Sequence, residues 1–269
     1  MKSRPLVIAI LAKSKAHILP LYLKSLLAQT ALSSDTIFYI RTNDNKDGTA
    51  EILREFYQKW SWKYRMVFDD SPVDEALLQW ANHEWNPHRF KILGEIRQKS
   101  IEFAIREGAD YFIADADNII LPHTIHQLRS SGLPVVSPLL WNVDPNSMYS
   151  NYHSSVDEDG YFRNDDNYQK ILYQHIKGLI EVPVVHCTYF IRHENLQYAK
   201  YLDETPRHEY VVLSDYFRKA GIPQYIDNRE LYGRISFAED EETMRQCYDQ
   251  ICFRDLDEYI TKSLPSNAI

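Results

Sequence analysis

The first half of the chain alternates short apolar runs with longer segments whose apolar residues recur at helical spacing. Residues 6–12 (LVIAILA) are apolar without interruption, the pattern of a strand buried on both faces. Residues 18–29 put Leu19, Tyr22, Leu23, Leu26 and Leu27 on one side of a helix. A second strand is predicted over 36–42 (TIFYIRT), a second helix over 50–60 through Ile52, Leu53, Phe56 and Tyr57, and a third strand over 64–68. Residues 90–106 predict a long amphipathic helix through Ile92, Leu93, Ile96, Ile101 and Phe103, stopped at Gly108. Further strands follow at 110–114 (DYFIA) and 134–138 (PVVSP). Strand and helix alternating over short connections predict a Rossmann-like α/β domain. Right-handed crossovers make its sheet mostly parallel, with helices on both faces.

The second half changes character. Residues 141–177 are rich in Asn, Asp, Ser and Tyr and predict surface loops or a short hairpin. Order returns with a strand-like run at 182–192 (VPVVHCTYFIR), a helix at 210–220 ended by Gly221, and a short strand at 225–227. The tail, 239–262, carries Met244, Cys247, Tyr248 and Ile251 at helical spacing. No linker, repeat or low-complexity tract interrupts this order. The expectation is one domain over 1–269, with a nucleotide-binding half (1–140), an acceptor half (141–240) and a C-terminal helix (241–269).

Composition narrows the function classes. A hydrophobic fraction of 44% supports a sizeable core in 269 residues, and a formal net charge of -8 argues against a nucleic-acid binder. No apolar stretch is long enough to span a membrane, and the run at 6–12 lacks a cleavage site for a leader peptide. Three cysteines, Cys187, Cys247 and Cys252, match neither a disulfide framework nor a zinc pattern and suit a reducing, cytosol-like setting.

The strongest chemical signal is FIADADN, residues 112–118, where an apolar strand runs directly into Asp115 and Asp117. Ligands in open α/β sheets bind beyond the carboxyl ends of the strands. Two carboxylates this close repel unless a cation compensates, and oxygen ligands suit Mg²⁺ or Mn²⁺ bridging to substrate phosphates. The bland alternative is a solvated strand end whose Asp117 caps a helix near Pro122. Lys13, Lys15 and His17 follow the first strand and could meet phosphate. Asn43, Asp44, Asn45 and Asp47 follow the second, and could hold a ribose or form an ordinary Asx turn ending at Gly48. Neither a dinucleotide fingerprint nor a P-loop is present. His186 lies within an apolar run, where a lone histidine is more often a core group than a ligand. Glu209, at the start of the 210–220 helix, is either a first-turn acid favoured by the helix dipole or a general base.

Taken together, several stretches resemble the amino-terminal glycosyltransferase domain of the collagen (hydroxylysine) galactosyltransferase family. They are AILAKSKAHILP (9–20), TNDNKDGTAEIL (42–53), GADYFIADADNI (108–119), GLPVVSPLL (132–140), MYSNYHSSVDEDGYF (148–162), VPVVHCTYFIR (182–192) and KAGIPQYIDNRELYG (219–233). The resemblance implies a GT-A fold, a uridine-diphosphate (UDP) sugar donor such as UDP-glucose or UDP-galactose, and Mn²⁺. Its D-T-D falls on Asp115-Ala116-Asp117, which implies metal and diphosphate binding by Asp115 and Asp117. Lys13, Asp44, Ala116 and Asn118 join them around the donor. Its V-H-S-T falls on Val185-His186-Cys187-Thr188, which makes His186 a candidate third metal ligand. Its acidic pair falls on His208 and Glu209, leaving Glu209 as the catalytic base beside Asp117. Glu230 stands where the family has a histidine and is a spare ligand candidate. The implied acceptor is a collagen-like protein or a glycan, and a homodimer fits the Tyr-rich stretch. A non-catalytic module of the same fold and a nucleotidyltransferase are the competing readings. The family's second glycosyltransferase domain and its secretory signals are not seen in this chain, which again suits a cytosol-like setting.

Overall fold

The computed structural model describes residues 4–73 and 86–264. The first half builds β1 (Leu6–Leu11), α1 (Leu19–Leu27), β2 (Thr36–Arg41), α2 (Thr49–Trp60), β3 (Arg65–Asp69), α3 (Pro87–Arg106) and β4 (Asp110–Ala114). The strands pair in parallel in the order β3-β2-β1-β4. Alternate residues point to opposite faces of a strand, and here both faces are covered. Ile8, Ile10, Phe38, Ile40 and Phe112 pack with Tyr22 and Leu26 of α1 and Leu53 and Phe56 of α2. Val7, Ala9, Ile37, Tyr39, Tyr111 and Ile113 pack with Ile101 and Ala104 of α3. That double burial is why 6–11 and 36–40 carry no polar alternation.

Beyond β4 come β5 (Asn118–Ile120), α4 (Thr124–Ser130), β6 (Val135–Pro138), β7 (Trp141–Asn142), β8 (Tyr152–His153) and α5 (Asp166–Leu172). They are followed by β9 (Leu179–Val182), β10 (Val184–Val185), β11 (Thr188–Ile191), α6 (His193–Leu196), α7 (Glu209–Lys219), β12 (Gln224–Asp227), β13 (Gly233–Ile235), α8 (Glu241–Asp249) and α9 (Ile251–Ser263). The main sheet continues β4-β11-β6-β12-β9, so strands from both halves of the chain share it. β11 runs antiparallel between β4 and β6, and β9 is an antiparallel edge. A small sheet, β5-β13-β7, lies past the carboxyl end of β4.

Three sequence expectations are corrected. The apolar run at 182–192 is not one strand. Pro183 has no N–H to donate, and Cys187 sits at φ +62°, so the run divides into β9, β10 and β11. The polar stretch at 141–177 contains a helix, α5, whose N-cap Asp165 accepts a hydrogen bond from the Tyr168 N–H. The tail is two helices. Gln250 is extended (ψ 125°) between them, and α8 opens with a reciprocal capping box between Asp240 and Thr243.

Candidate active site

The carboxyl end of β4 opens on a cavity of about 640 Å³, a size typical of small-molecule sites. Its described lining comes from the loop after β1 (Lys13, Ser14, Lys15), the end of β2 (Arg41, Asn43), and one face of α3 (Arg89, Ile92, Leu93, Ile96, Arg97). Residues 115–118, the turn at His186 and Cys187, the start of α7 (His208, Glu209, Tyr210), and Ile235, Phe237 and Glu239 also line it.

The D-x-D turn is held by its neighbours from every side. Tyr22 Oη, buried under β4, donates to the Ala114 carbonyl at 2.8 Å. The Asp115 N–H donates to the Cys187 carbonyl at 2.8 Å, and Asn118 Nδ2 donates to Thr188 Oγ1 at 2.8 Å. Both the N–H and the hydroxyl of Ser236 donate to the Asp117 carbonyl at 3.0 Å. Asp117 does not cap a helix: α4 starts at Thr124 after His123 and has no side-chain cap. The backbone that carries the two carboxylates is therefore fixed by α1, β11 and the chain leaving β13.

Asp115 and Asp117 have different surroundings. Arg97 Nη2 lies 2.7 Å from Asp115 Oδ1, and Arg97 Nε lies 3.3 Å from Glu209 Oε1. One guanidinium thus bridges the first acid of D-x-D and the first residue of α7. Burial pushes the Asp115 carboxyl up against the pull of Arg97, with Asp117 adding to the rise. Burial works the same way on Glu209, but contact with His208 and the Arg97 charge outweigh it and hold Glu209 below the usual carboxylate range. Glu209 Oε2 is buried and accepts no well-formed hydrogen bond, with His208 Nδ1 3.5 Å away. Asp117 Oδ2 is 3.5 Å from Lys15 Nζ.

The two loops anticipated to bind the donor divide the work. Asn45 Oδ1 accepts from the Ser14 N–H (2.9 Å), Asp47 Oδ2 from the Ala16 N–H (3.0 Å), and Thr49 Oγ1 from the Lys15 N–H (2.7 Å). The Asx loop after β2 therefore shapes the lysine loop. Asp44, expected at the donor, accepts at Oδ2 from the Val73 N–H at 3.1 Å and from Asn43 Nδ2 at 3.0 Å, and Asn43 stands on the described cavity wall. Lys13 is on that wall, and burial lowers its ammonium pKa despite nearby Asp44.

His186 is on the wall too, but among the described residues no three His, Cys, Asp or Glu side chains group as a metal site would require. His186 Nδ1 lies 2.9 Å from Cys187 Sγ, and its ring packs between Tyr149, His153 and Tyr210. Burial, with His153 and Arg97 nearby, drives its pKa well down. The expected triad Asp115–Asp117–His186 is thus not assembled, and Glu230 is a half-exposed partner of His123 off the described wall. What remains is two carboxylates, Asp115 engaged by Arg97 and Asp117 facing Lys15. That donor set fits a Mg²⁺- or Mn²⁺-type ion whose other ligands are diphosphate oxygens and water, and not a closed protein cage.

Arg97 is the residue that sequence reading missed. Leu93, Arg97, Ser100 and Ala104 share one side of α3 by their spacing, so a full charge stands on a side that is otherwise uncharged and runs into the buried Ser100 and Ala104. A charge on a core-facing stripe needs a partner, and that was the available signal.

Residues 3–253 match the glycosyltransferase family 25 N-terminal domain. The human inactive glycosyltransferase 25 family member 3 is 29% identical over 242 residues, 86% of this chain and 40% of that protein. Human procollagen galactosyltransferase 2 is 28% identical over 247 residues, 87% of this chain and 39% of that protein. The chain thus spans about two-fifths of the length of these relatives. Two solved structures share the fold at low identity. One is Staphylococcus aureus TarS 1-349 in complex with UDP (TM-score 0.55, 13% identity, 97% of this chain and 70% of that one). The other is the mannosyltransferase PcManGT of Pyrobaculum calidifontis with GDP-Man and Mn²⁺ (TM-score 0.52, 9% identity, 97% and 74%). With the whole D-x-D strand, its flanking loops and α7 inside the matched residues, the chain belongs to the glycosyltransferase family 25 N-terminal domain family.

Proposed function

We propose that the chain transfers galactose or glucose from a UDP-sugar to an acceptor hydroxyl on a collagen-like protein or a glycan. The observation that carries this reading is the arrangement of the cavity. Asp115 and Asp117 stand at the carboxyl end of β4, Lys13 and Lys15 come from the adjoining loop, and Glu209 brings a buried carboxylate oxygen with no well-formed hydrogen bond. Lysines beside carboxylates suit a diphosphate. A bound Mn²⁺ or Mg²⁺, held by Asp117 with Asp115 as a second carboxylate, would neutralise the departing diphosphate as a Lewis acid.

The chain's own groups supply the rest. Lys13 and Lys15 orient the diphosphate. Asn43 and Asn118 add polar contacts along the donor. In an inverting displacement, the acceptor oxygen bonds to the anomeric carbon as the bond to the β-phosphate oxygen breaks. The acceptor proton passes to Glu209 Oε2, and the electron pair leaves with UDP. Arg97 keeps Glu209 ionised and in place. The three cysteines, whose number and spacing match no disulfide framework, suit the reducing, cytosol-like setting proposed for the chain.

A second reading is favoured by a specific observation. Relatives of similar identity are named inactive, and the resemblance sets His208, the residue just before α7, where the family has the first of two acids. In that reading the domain binds a nucleotide sugar without transferring it. UDP release from UDP-glucose and UDP-galactose, with and without chelator, separates the two. Transfer predicts release from one donor, lost with chelator and reduced at least 10²-fold by Asp117→Ala. Undiminished release in Asp117→Ala would remove the assignment. Donor binding without release would establish the binding module.

A further inference from the structure

We infer that Lys15 is a built-in competitor for the divalent cation on Asp117, and that it makes metal binding depend on the nucleotide diphosphate. This rests on the reading of Asp117 as the metal-holding carboxylate. Lys15 Nζ is held at two points: 3.5 Å from Asp117 Oδ2 and 3.2 Å from the carbonyl oxygen of Ala238. Its backbone is fixed as well, the N–H donating to Thr49 Oγ1 at 2.7 Å. The side chain is one-fifth exposed, so the ammonium is partly shielded from bulk water.

A Mg²⁺- or Mn²⁺-type ion binds carboxylate oxygen at about 2 Å. On Asp117 Oδ2 it would therefore lie within about 6 Å of the Lys15 ammonium, where like charges repel in a partly desolvated site. The two cations do not share Asp117 comfortably. Lys15 gives up its contact only if another anion receives it, and the diphosphate of the donor is such an anion, entering the same cavity that Lys15 lines. Metal without nucleotide has to displace an ammonium that gains nothing in return. Metal with nucleotide lets Lys15 move from carboxylate to phosphate. Lys15 then acts twice, as a guard on Asp117 and as a diphosphate ligand, and the coupling between metal and nucleotide is reciprocal.

The test is Mn²⁺ affinity, measured by calorimetry or by the free-ion electron paramagnetic resonance signal, on the full chain with and without saturating UDP. Lys15→Met keeps most of the aliphatic stem and removes the charge. The expected result is about tenfold tighter Mn²⁺ binding to Lys15→Met than to the wild type without UDP. With UDP the order reverses or levels, because the nucleotide has lost a ligand. Lys15→Arg retains the charge and keeps the weak binding of the wild type. Equal or weaker Mn²⁺ binding in Lys15→Met without UDP overturns the inference. Asp117→Asn separates the two levels of the argument. If it leaves UDP-dependent Mn²⁺ binding intact, the reading of Asp117 fails and this inference with it. If it removes that binding while Lys15→Met gains nothing, only the role of Lys15 is refuted.

Discussion

Replacing Arg97 by methionine tests the energetic centre of the site. Arg97 is largely buried (14% exposed) and is the bridging cation between Asp115, at 2.7 Å, and Glu209, at 3.3 Å. At an effective dielectric constant of 20, a contact near 3 Å amounts to about 5 kcal/mol of attraction, part of which only offsets the desolvation of the three charges. Removing one partner of a buried pair costs about 3–5 kcal/mol, because the remaining charge stays buried alone. Here two carboxylates would be stranded, with Asp117 close by. Arg97→Met is therefore expected to lose about 3–5 kcal/mol at pH 7, on the order of 10 °C in Tm. The loss should shrink as the pH falls toward 5. Without the guanidinium the folded-state pKa of Glu209 rises above its unfolded value and that of Asp115 rises further, so protonation relieves the strain. In the wild type Glu209 behaves oppositely: its pKa is lowered, so its stabilisation is present above the unfolded value and disappears as the pH falls through the folded one. Urea unfolding at pH 7 and pH 5, for wild type, Arg97→Met and Arg97→Met/Glu209→Gln, measures this. The double variant should recover a large part of the loss. A single variant within 0.5 kcal/mol of wild type at pH 7 would refute the view that Arg97 ties the two acids together.

Further expectations follow from the same packing. His153 is buried with Nδ1 unpartnered, and burial, with Arg218 adding, lowers its pKa to about 4. The unfolded chain then binds a proton that the folded chain refuses, so stability falls by about 3 kcal/mol as the pH drops from the ordinary histidine value to about 4. His153→Gln should flatten that slope in a pH series of unfolding curves. Gly233, at φ +154°, begins β13 where an added Cβ would meet the Ile119 carbonyl oxygen at 2.3 Å. Gly233→Ala should cost about 2–4 kcal/mol in thermal unfolding, because the obstacle is backbone and cannot swing aside. Asn151 is fully buried, accepting from the Leu140 N–H and donating to Ser137 Oγ and the Pro138 carbonyl. Asn151→Ala should lower stability by about 2–3 kcal/mol, since each abandoned group stays out of water.

Much of the architecture was legible along the chain. The run at 6–12 predicted a strand buried on both faces and those at 36–42 and 110–114 predicted strands, and β1, β2 and β4 form there because helices cover each side of the sheet. The D-x-D strand end was legible for the same local reason, an apolar strand meeting two acids. Elsewhere local pattern misled. The apolar stretch at 182–192 carried no visible break apart from Pro183, yet Cys187 adopts a left-handed conformation there, its carbonyl accepting from the Asp115 N–H across the cavity floor. Asp44 and Asn43 are neighbours in one polar loop, and nothing local says which one faces the cavity and which accepts from Val73.

By itself, the sequence determined the period of the strands and helices in the first half, the two-sided covering of the sheet and the position of the acids at the end of β4, since these follow from neighbours within one turn or one strand. Only the tertiary structure decided the partners: Arg97 on Asp115 and Glu209, Lys15 on Asp117, and His186 on Cys187 rather than with the acids. Those pairings join residues from 18 to 112 positions apart, except for the adjacent His186 and Cys187, whose contact depends on the bend at φ +62°. Charges in a shielded cavity are matched by distance in space, and that distance is set by the folding of the sheet and the packing of α3 and α7 against it.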